Sequence, residues 1–346
     1  MGRFSFFGSQ VTPSANERRI GSQSFAAPSA DHGVAHPTVD SRDARRRAVG
    51  HRRRATKRRT GAGPGETKRY ISTVNSVQRA TTPTFAQAVG WEFDEEGVAR
   101  GNVDPTWMQG RATFGGLVAA LAVRSQRRLV PDLPLRTMHV DFIGPLGADA
   151  ARVDAEVLRR GRAVTHARAT IMQGDAAAAA VSCVFGDARP SQLHDAPRRA
   201  APEGDPRESP DLPFGPGGFP NFTQFFHMAF REGLPYSGQK EARIRGWCRH
   251  RTEVGEPELG LIALLDLWPA PVLAQLRQLA PASSVTWTAR LHAPPKTLGP
   301  EDWFWFESLA TYAGEGYAGV RAELFDVEGR PLAESEQLVA VFDEPR

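Results

Sequence analysis

The chain is poor in cysteine. Its 346 residues include two, Cys183 and Cys248, and neither belongs to a Cys-X-X-Cys pair. Structural zinc sites and disulfide frameworks both depend on closely spaced or numerous cysteines, so neither is predicted. Thiols that stay reduced are typical of a reducing compartment, and we therefore expect a cytoplasmic protein.

Several other signatures are also missing. No Gly-X-Ser-X-Gly motif occurs, so the serine triad of an α/β-hydrolase is not predicted. His166 and His292 have no second histidine or carboxylate at metal-ligand spacing, so no metal site is predicted. We find no run of about 18 apolar residues that would span a membrane. The N-terminus lacks the apolar core of a secretory signal.

Positive charge is concentrated at one end. Residues 1–73 contain 15 Lys and Arg against 5 Asp and Glu, and the remainder is mildly acidic. We predict that residues 1–77 form a disordered, Arg-rich tail and that the folded part does not bind nucleic acid. Three interpretations of the tail, whose basic run is Arg42–Arg59, remain open. It could bind nucleic acid or acidic lipid, act as a transit peptide, or reflect a reading frame drawn too long, with the natural start near Val74.

The longest apolar stretch is Leu259–Leu279, and as far as Leu276 it contains a single charged residue, Asp266. Apolar residues recur at helical spacing, which predicts a helix buried inside a sheet: Leu261, Leu264, Leu265 and Trp268. A carboxylate in such a helix must find hydrogen-bond donors or take up a proton. Asp266 is therefore a candidate for chemistry. The alternative is that it caps a second short helix near Pro269 and Pro271.

An internal repeat runs through the patterned part of the sequence. GGLVAALAV at Gly115–Val123 matches LGLIALLDL at Leu259–Leu267, and later strand segments match in the same order. Each copy reads as a hairpin, a long apolar helix and four antiparallel strands, which is an α+β arrangement. The predicted division is a first domain at 78–186, a linker at 187–219 and a second domain at 220–346.

The ordered motifs resemble the hotdog fold and, more narrowly, the acyl-CoA thioesterase II family. The resemblance extends over about residues 84–346 and depends on FGGLVAAL, ALLDLWPAPVL, SSVTWTARLHAP and LAESEQLVAVF. It implies a tandem (double) hotdog, with two antiparallel sheets each wrapped around a long helix. It also implies an acyl-CoA substrate, hydrolysis without metal, cofactor or covalent intermediate, a role in lipid metabolism, and a possible homo-oligomer.

Carried over by position, the residues that hold the hydrolytic water in that family are Asp266, Ser284 and Gln337. The family usually has Thr at the second place, and Thr286 is a nearby competitor that we expect on the same strand face. The Gly-containing start of the first long helix could supply a backbone N–H for the oxyanion, with Gly116 as the candidate. The alternative role of Gly116 is close packing of helix against sheet.

The repeat also predicts where the site is absent. In the first half, the positions that match the three polar residues are Ala122, Leu135 and Ala180. We therefore expect one active site per chain, built by the second half.

Two other functions remain open. One is a non-catalytic acyl-binding protein. The other is a hotdog hydratase, although no histidine lies between His250 and His292 to pair with an acid on the helix.

Overall fold

The computed structural model describes residues 82–193, 197–200, 204–210, 212–215 and 218–343. The predicted tail at 1–77 lies outside these ranges. Three α-helices are described: α1 (Phe85–Val89), α2 (Gly115–Leu129) and α3 (Pro257–Asp266). The first-half strands are β1 (Glu92–Phe93), β2 (Ala99–Asn102), β3 (Met108–Gln109), β4 (Ala112–Thr113), β5 (Leu135–Phe142), β6 (Ala150–Arg160), β7 (Val164–Gln173) and β8 (Ala176–Gly186). The second-half strands are β9 (Phe226–Glu232), β10 (Arg243–His250), β11 (Ala282–Leu291), β12 (Phe304–Gly314), β13 (Tyr317–Asp326) and β14 (Pro331–Val341).

The two halves share one continuous antiparallel sheet of 12 strands, in the order β1-β2-β6-β7-β8-β5-β11-β14-β13-β12-β10-β9. This differs from the two separate sheets that the sequence predicts. The joint forms because the edge strands of the two halves, β5 and β11, pair with each other. The pairing runs from the Thr137–Arg290 pair to the Asp141–Thr286 pair. Pairing removes two exposed edges that would otherwise attract other chains.

An approximate two-fold symmetry relates the halves. At the joint, His139 of β5 pairs with Thr288 of β11. Each strand carries a β-bulge at the same number of residues before this pair. In β5 the bulge lies between Leu135 and Thr137, and in β11 it lies between Ser284 and Thr286. The repeat seen in the sequence is therefore present in the strand pairing.

Helices α2 and α3 pack against each other beneath the sheet. Gly116 allows this approach, since a Cβ there would lie 3.0 Å from the Cα of Ala263. At the other end, Arg127 and Glu258 form an ion pair of 2.7 Å between largely buried side chains. One helix from each half thus lies next to the other, and residues from both halves can meet at the helix ends.

The apolar helix is shorter than its sequence pattern. It ends at Asp266, and a 3-10 turn follows at Pro271–Ala274. The prolines explain the break, because a proline nitrogen cannot donate the next helical hydrogen bond. Contrary to the sequence expectation, the segment Pro257–Ala274 is long and apolar enough to cross a membrane by length and composition. Because 72% of it is buried inside the fold, core packing accounts for that composition.

The start of the second half also differs from the prediction. A strand is expected at Phe222–Phe230, but Asn221–Phe225 forms a 3-10 turn and β9 begins at Phe226. The turn contributes aromatic rings to the first half: Phe222 stacks on Phe114 with ring centroids 4.1 Å apart. This contact fixes the residue immediately before α2.

Candidate active site

Asp266, the last residue of α3, points at the first turn of α2. Its Oδ1 accepts a hydrogen bond of 2.9 Å from Gln337 Nε2, and the backbone N–H of Gly116 also donates to the carboxylate. Phe114, the residue that precedes α2, offers no side-chain cap, so Asp266 caps this helix from outside. The alternative in which Asp266 caps the following short helix is wrong, because Ala270 occupies that position.

Ser284 and Gln337 continue the hydrogen-bonded chain. Ser284 Oγ donates to Gln337 Oε1 over 3.2 Å, so serine, amide and carboxylate are linked in series. Gln337 donates directly to Asp266, whereas Ser284 reaches the carboxylate only through Gln337. The serine instead orients the amide of Gln337. The amide Oε1 accepts the hydrogen bond from the serine hydroxyl, and this turns the amide nitrogen towards the carboxylate.

Thr286 is on the other face of β11. Ser284 pairs with Val339, which is 2% exposed, whereas Thr286 pairs with Leu338, which is 38% exposed. The bulge between the two residues inserts Val285 without a partner and breaks the usual alternation of faces. The expectation that both hydroxyls share one face is therefore wrong, and Ser284 is the one that reaches Gln337.

The surroundings of Asp266 raise its pKa to about 7, and burial is the largest cause. The hydrogen bonds from Gln337 and Gly116 act in the opposite direction and favour the carboxylate. The residue keeps part of its surface accessible. A carboxyl group with these properties changes its charge near neutral pH, which is one requirement of a general base.

The raised pKa has a consequence for stability. An unfolded Asp266 releases its proton near pH 3.8, whereas the folded one keeps it up to about 7, so this group destabilises the fold as pH rises between those values. We expect the free energy of unfolding of Asp266→Asn, relative to wild type, to increase by about 3 kcal/mol from pH 5 to pH 8.5. Urea unfolding at both pH values measures this, and an unchanged difference would contradict the assigned pKa.

Gly115 and Gly116 form the opposite wall of the site. A Cβ on Gly115 would lie 2.7 Å from Asp266 Oδ2 and 3.1 Å from Phe142 Cζ, so a side chain there would displace the carboxylate. Gly116 allows close packing, against α3 rather than the sheet, and its N–H lies at the Asp266 carboxyl group. Sequence analysis did not single out Gly115 or Phe142; the double glycine was the available signal for the first.

The matching position in the first half carries a different set of groups. Leu135 occupies the place of Ser284, as the repeat predicts. Trp287 pairs with Gln337, and its counterpart Met138 pairs with Cys183, so Cys183 rather than Ala180 corresponds to Gln337. The thiol is buried, which raises its pKa far above the usual range. A leucine and an un-ionised thiol cannot replace the serine and amide.

Within the ranges that the structure describes, no group of three or more His, Cys, Asp or Glu side chains could hold a metal ion. The described chemistry at α3 is thus that of one carboxyl group, one amide, one hydroxyl and the start of α2.

Known structures with this arrangement of strands share the hotdog fold. One, a conserved protein with a hot dog fold from Alicyclobacillus acidocaldarius, is 22% identical, with a TM-score of 0.67 over 76% of this chain and 98% of its own. Another, the acyl-CoA thioesterase II TesB2 from Mycobacterium marinum, is 21% identical, with a TM-score of 0.58 over 75% of this chain and 98% of its own. The comparison with curated proteins found no significant match.

Two family models match consecutive parts of the sequence. The acyl-CoA thioesterase N-terminal domain matches residues 103–186, and the acyl-CoA thioesterase C-terminal domain matches residues 197–341. Together they span well over half of the chain, and the second contains all three residues of the hydrogen-bonded chain. The protein therefore belongs to the acyl-CoA thioesterase family and is a thioester hydrolase.

Proposed function

We propose that the protein hydrolyses acyl-CoA thioesters to a free acid and CoA, using one water molecule activated by Asp266 in a tandem hotdog. The observation that carries this proposal is the series of hydrogen bonds from Ser284 through Gln337 to Asp266. It fixes the carboxylate of a partly exposed residue, whose pKa is about 7, at the start of a helix. An acid in this environment can accept a proton at neutral pH and return it within one turnover.

Hydrolysis proceeds in two steps, attack by water and cleavage of the C–S bond. The water oxygen attacks the thioester carbonyl carbon while Asp266 takes one water proton, giving a tetrahedral intermediate with a negatively charged oxygen. The C–S bond then breaks, the carbonyl re-forms, and the proton held by Asp266 passes to the departing CoA sulfur. A thiolate leaves readily, so the protein needs mainly to orient the water and accept one proton.

The start of α2 is the proposed source of oxyanion stabilisation. Backbone N–H groups at a helix N-terminus carry partial positive charge and favour an anion. Gly116 already donates to Asp266. We propose that this hydrogen bond weakens when Asp266 takes the water proton, since the carboxyl group loses its charge at that moment. The N–H is then available as the intermediate acquires its negative charge.

Free-thiol release from acyl-CoAs of varied chain length and from aryl thioesters tests the proposed function. We expect turnover of at least one class, with the acid and CoA formed in equal amounts. Saturable binding without turnover of any thioester would favour an acyl-binding protein. Loss of the conjugated absorbance of an enoyl-CoA without thiol release would favour a hydratase.

Ser284 and Thr286 offer a matched pair of variants. Ser284→Ala removes the hydrogen bond that orients Gln337, and we expect kcat to fall roughly tenfold because the water is held less well. Thr286→Val removes a hydroxyl of similar size from the outer face two residues away, and its kcat is expected to stay near wild type. Steady-state thiol release measures both. A larger loss in the threonine variant would reverse the assignment.

A further inference from the structure

Phe142 is a large aromatic residue of the first half that lies close to the Asp266 carboxyl group at Gly115. The same point in space, where a Gly115 Cβ would stand, is 2.7 Å from Asp266 Oδ2 and 3.1 and 3.4 Å from Phe142 Cζ and Cε1. The ring edge and the carboxylate oxygen are therefore neighbours across a residue that has no side chain. The ring comes from β5, and the carboxylate comes from α3 of the other half.

The strand register brings Phe142 to the same place independently. Met138 and Val140 are fully buried, so alternation puts Phe142 on the inner face of β5. Pairing of β5 with β11 ends at Asp141 and Thr286, which makes Phe142 the next residue towards Ser284. The ring packs against the main core while remaining partly exposed. It thus lies between the carboxylate and solvent.

We propose that Phe142 is a positioning residue of the hydrolytic site, whose ring shields the Asp266 carboxyl group from bulk water on the side of Gly115. This inference rests on the proposed function and extends it to a side chain of the first half, whose other contribution to the site is the backbone N–H of Gly116. A shield is needed because a carboxylate open to bulk water is a weak base. The pKa of about 7 at Asp266, caused chiefly by burial, is consistent with such a shield.

Charged groups on the elements packed against α3 do not account for that environment. None of them adds to the shift in the pKa of Asp266, whose causes are burial, Gln337 and Gly116. These charged groups have partners away from Asp266. At the other end of α3, Arg124 and Arg127 of α2 pair with Glu256 and Glu258. On the strands, His250 of β10 contacts Gly260 O, Arg321 of β13 pairs with Glu334 of β14, and Asp141 of β5 contacts His139. Apolar shielding is therefore the effect to test.

Two variants of Phe142 and one control test it. Phe142→Ala removes the shield, and Phe142→Tyr keeps the shape but adds a hydroxyl next to Oδ2 that can donate to the carboxylate. The control is Leu291→Ala. Leu291 is 3% exposed and follows Thr288 by three positions, as Phe142 follows His139. It is therefore the second-half counterpart of Phe142, which the symmetry relates to the place where the first half lacks the polar groups.

The readout is the pKa of Asp266 from a carbon-13 NMR titration of labelled aspartate, assigned with Asp266→Asn, together with the pH dependence of kcat/KM. We expect both Phe142 variants to lower the pKa by at least about one pH unit, while Leu291→Ala leaves it unchanged. A pKa equal to wild type in folded Phe142→Tyr would overturn the inference, as would an equal fall in the control. The titration needs no turnover, so an inactive wild-type protein would refute the proposed function without deciding the role of Phe142.

Discussion

Asp266→Asn is expected to lower kcat/KM for acyl-CoA hydrolysis at least about 100-fold at pH 8, from the usual size of general-base effects. The asparagine keeps the size of the side chain and an oxygen that can accept from Gln337, but it cannot take a proton from water. Steady-state thiol release on the best substrate of the chain-length series measures the effect.

The control for this variant is its fold. The loss should appear in a protein whose circular dichroism spectrum and thermal unfolding are close to those of wild type, since burial of a neutral amide costs less than burial of a charge. An asparagine variant that retains the full rate would show that another group, or no protein group, accepts the proton.

Gly115→Ala is expected to lower the same rate by about 30- to 100-fold, because small displacements of a reacting group are costly. The added methyl group would overlap Asp266 Oδ2, at 2.7 Å, and press on the Phe142 ring, at 3.1 Å. One of the two must move, and either change disturbs the carboxylate. Thiol release and the pH dependence of the rate measure the result.

Gly144→Ala provides the matched control for that substitution. Gly144 lies just beyond β5, and a Cβ there would meet only Ala177 O at an ordinary distance of 3.5 Å. We expect this variant to behave as wild type. Equal losses in the two glycine variants would point to general damage to the first half rather than to a clash at the carboxylate.

Asp266 and Gln337 could be proposed from the sequence, but for different reasons. Asp266 is the one charged residue in a long apolar stretch, and such a group needs partners. Gln337 was proposed from the family resemblance. The first half has no polar residue at the position that the repeat matches to it, which supported that proposal. The structure places the two side chains in contact.

The hydroxyl group could not be assigned from the sequence, and neither could the joint between the sheets. Because side chains alternate between the two faces of a strand, the sequence predicts Ser284 and Thr286 on the same face. The bulge that separates them contains no glycine or proline, so the sequence gives no sign of it. Pairing of β5 with β11 depends on two strands far apart in the sequence meeting at their edges. Such contacts depend on the whole fold rather than on a local pattern.

Phe142 shows the same limitation at the site itself. In the sequence it is one apolar residue at the end of a strand, with the pattern of any core position. Its place beside Asp266 depends on the glycine between them and on the packing of two helices from different halves. Residues that act through shape and exclusion of water carry little signal of their own.

The pH dependence of kcat/KM between pH 5 and pH 9 shows whether the base is a carboxyl group with a pKa of about 7, as proposed for Asp266. We expect a rate that rises about tenfold per pH unit below this value and levels off above it, with the rise absent from the residual activity of Asp266→Asn. A rate that is flat across this range in wild type, or an identical rise in the asparagine variant, would contradict this assignment.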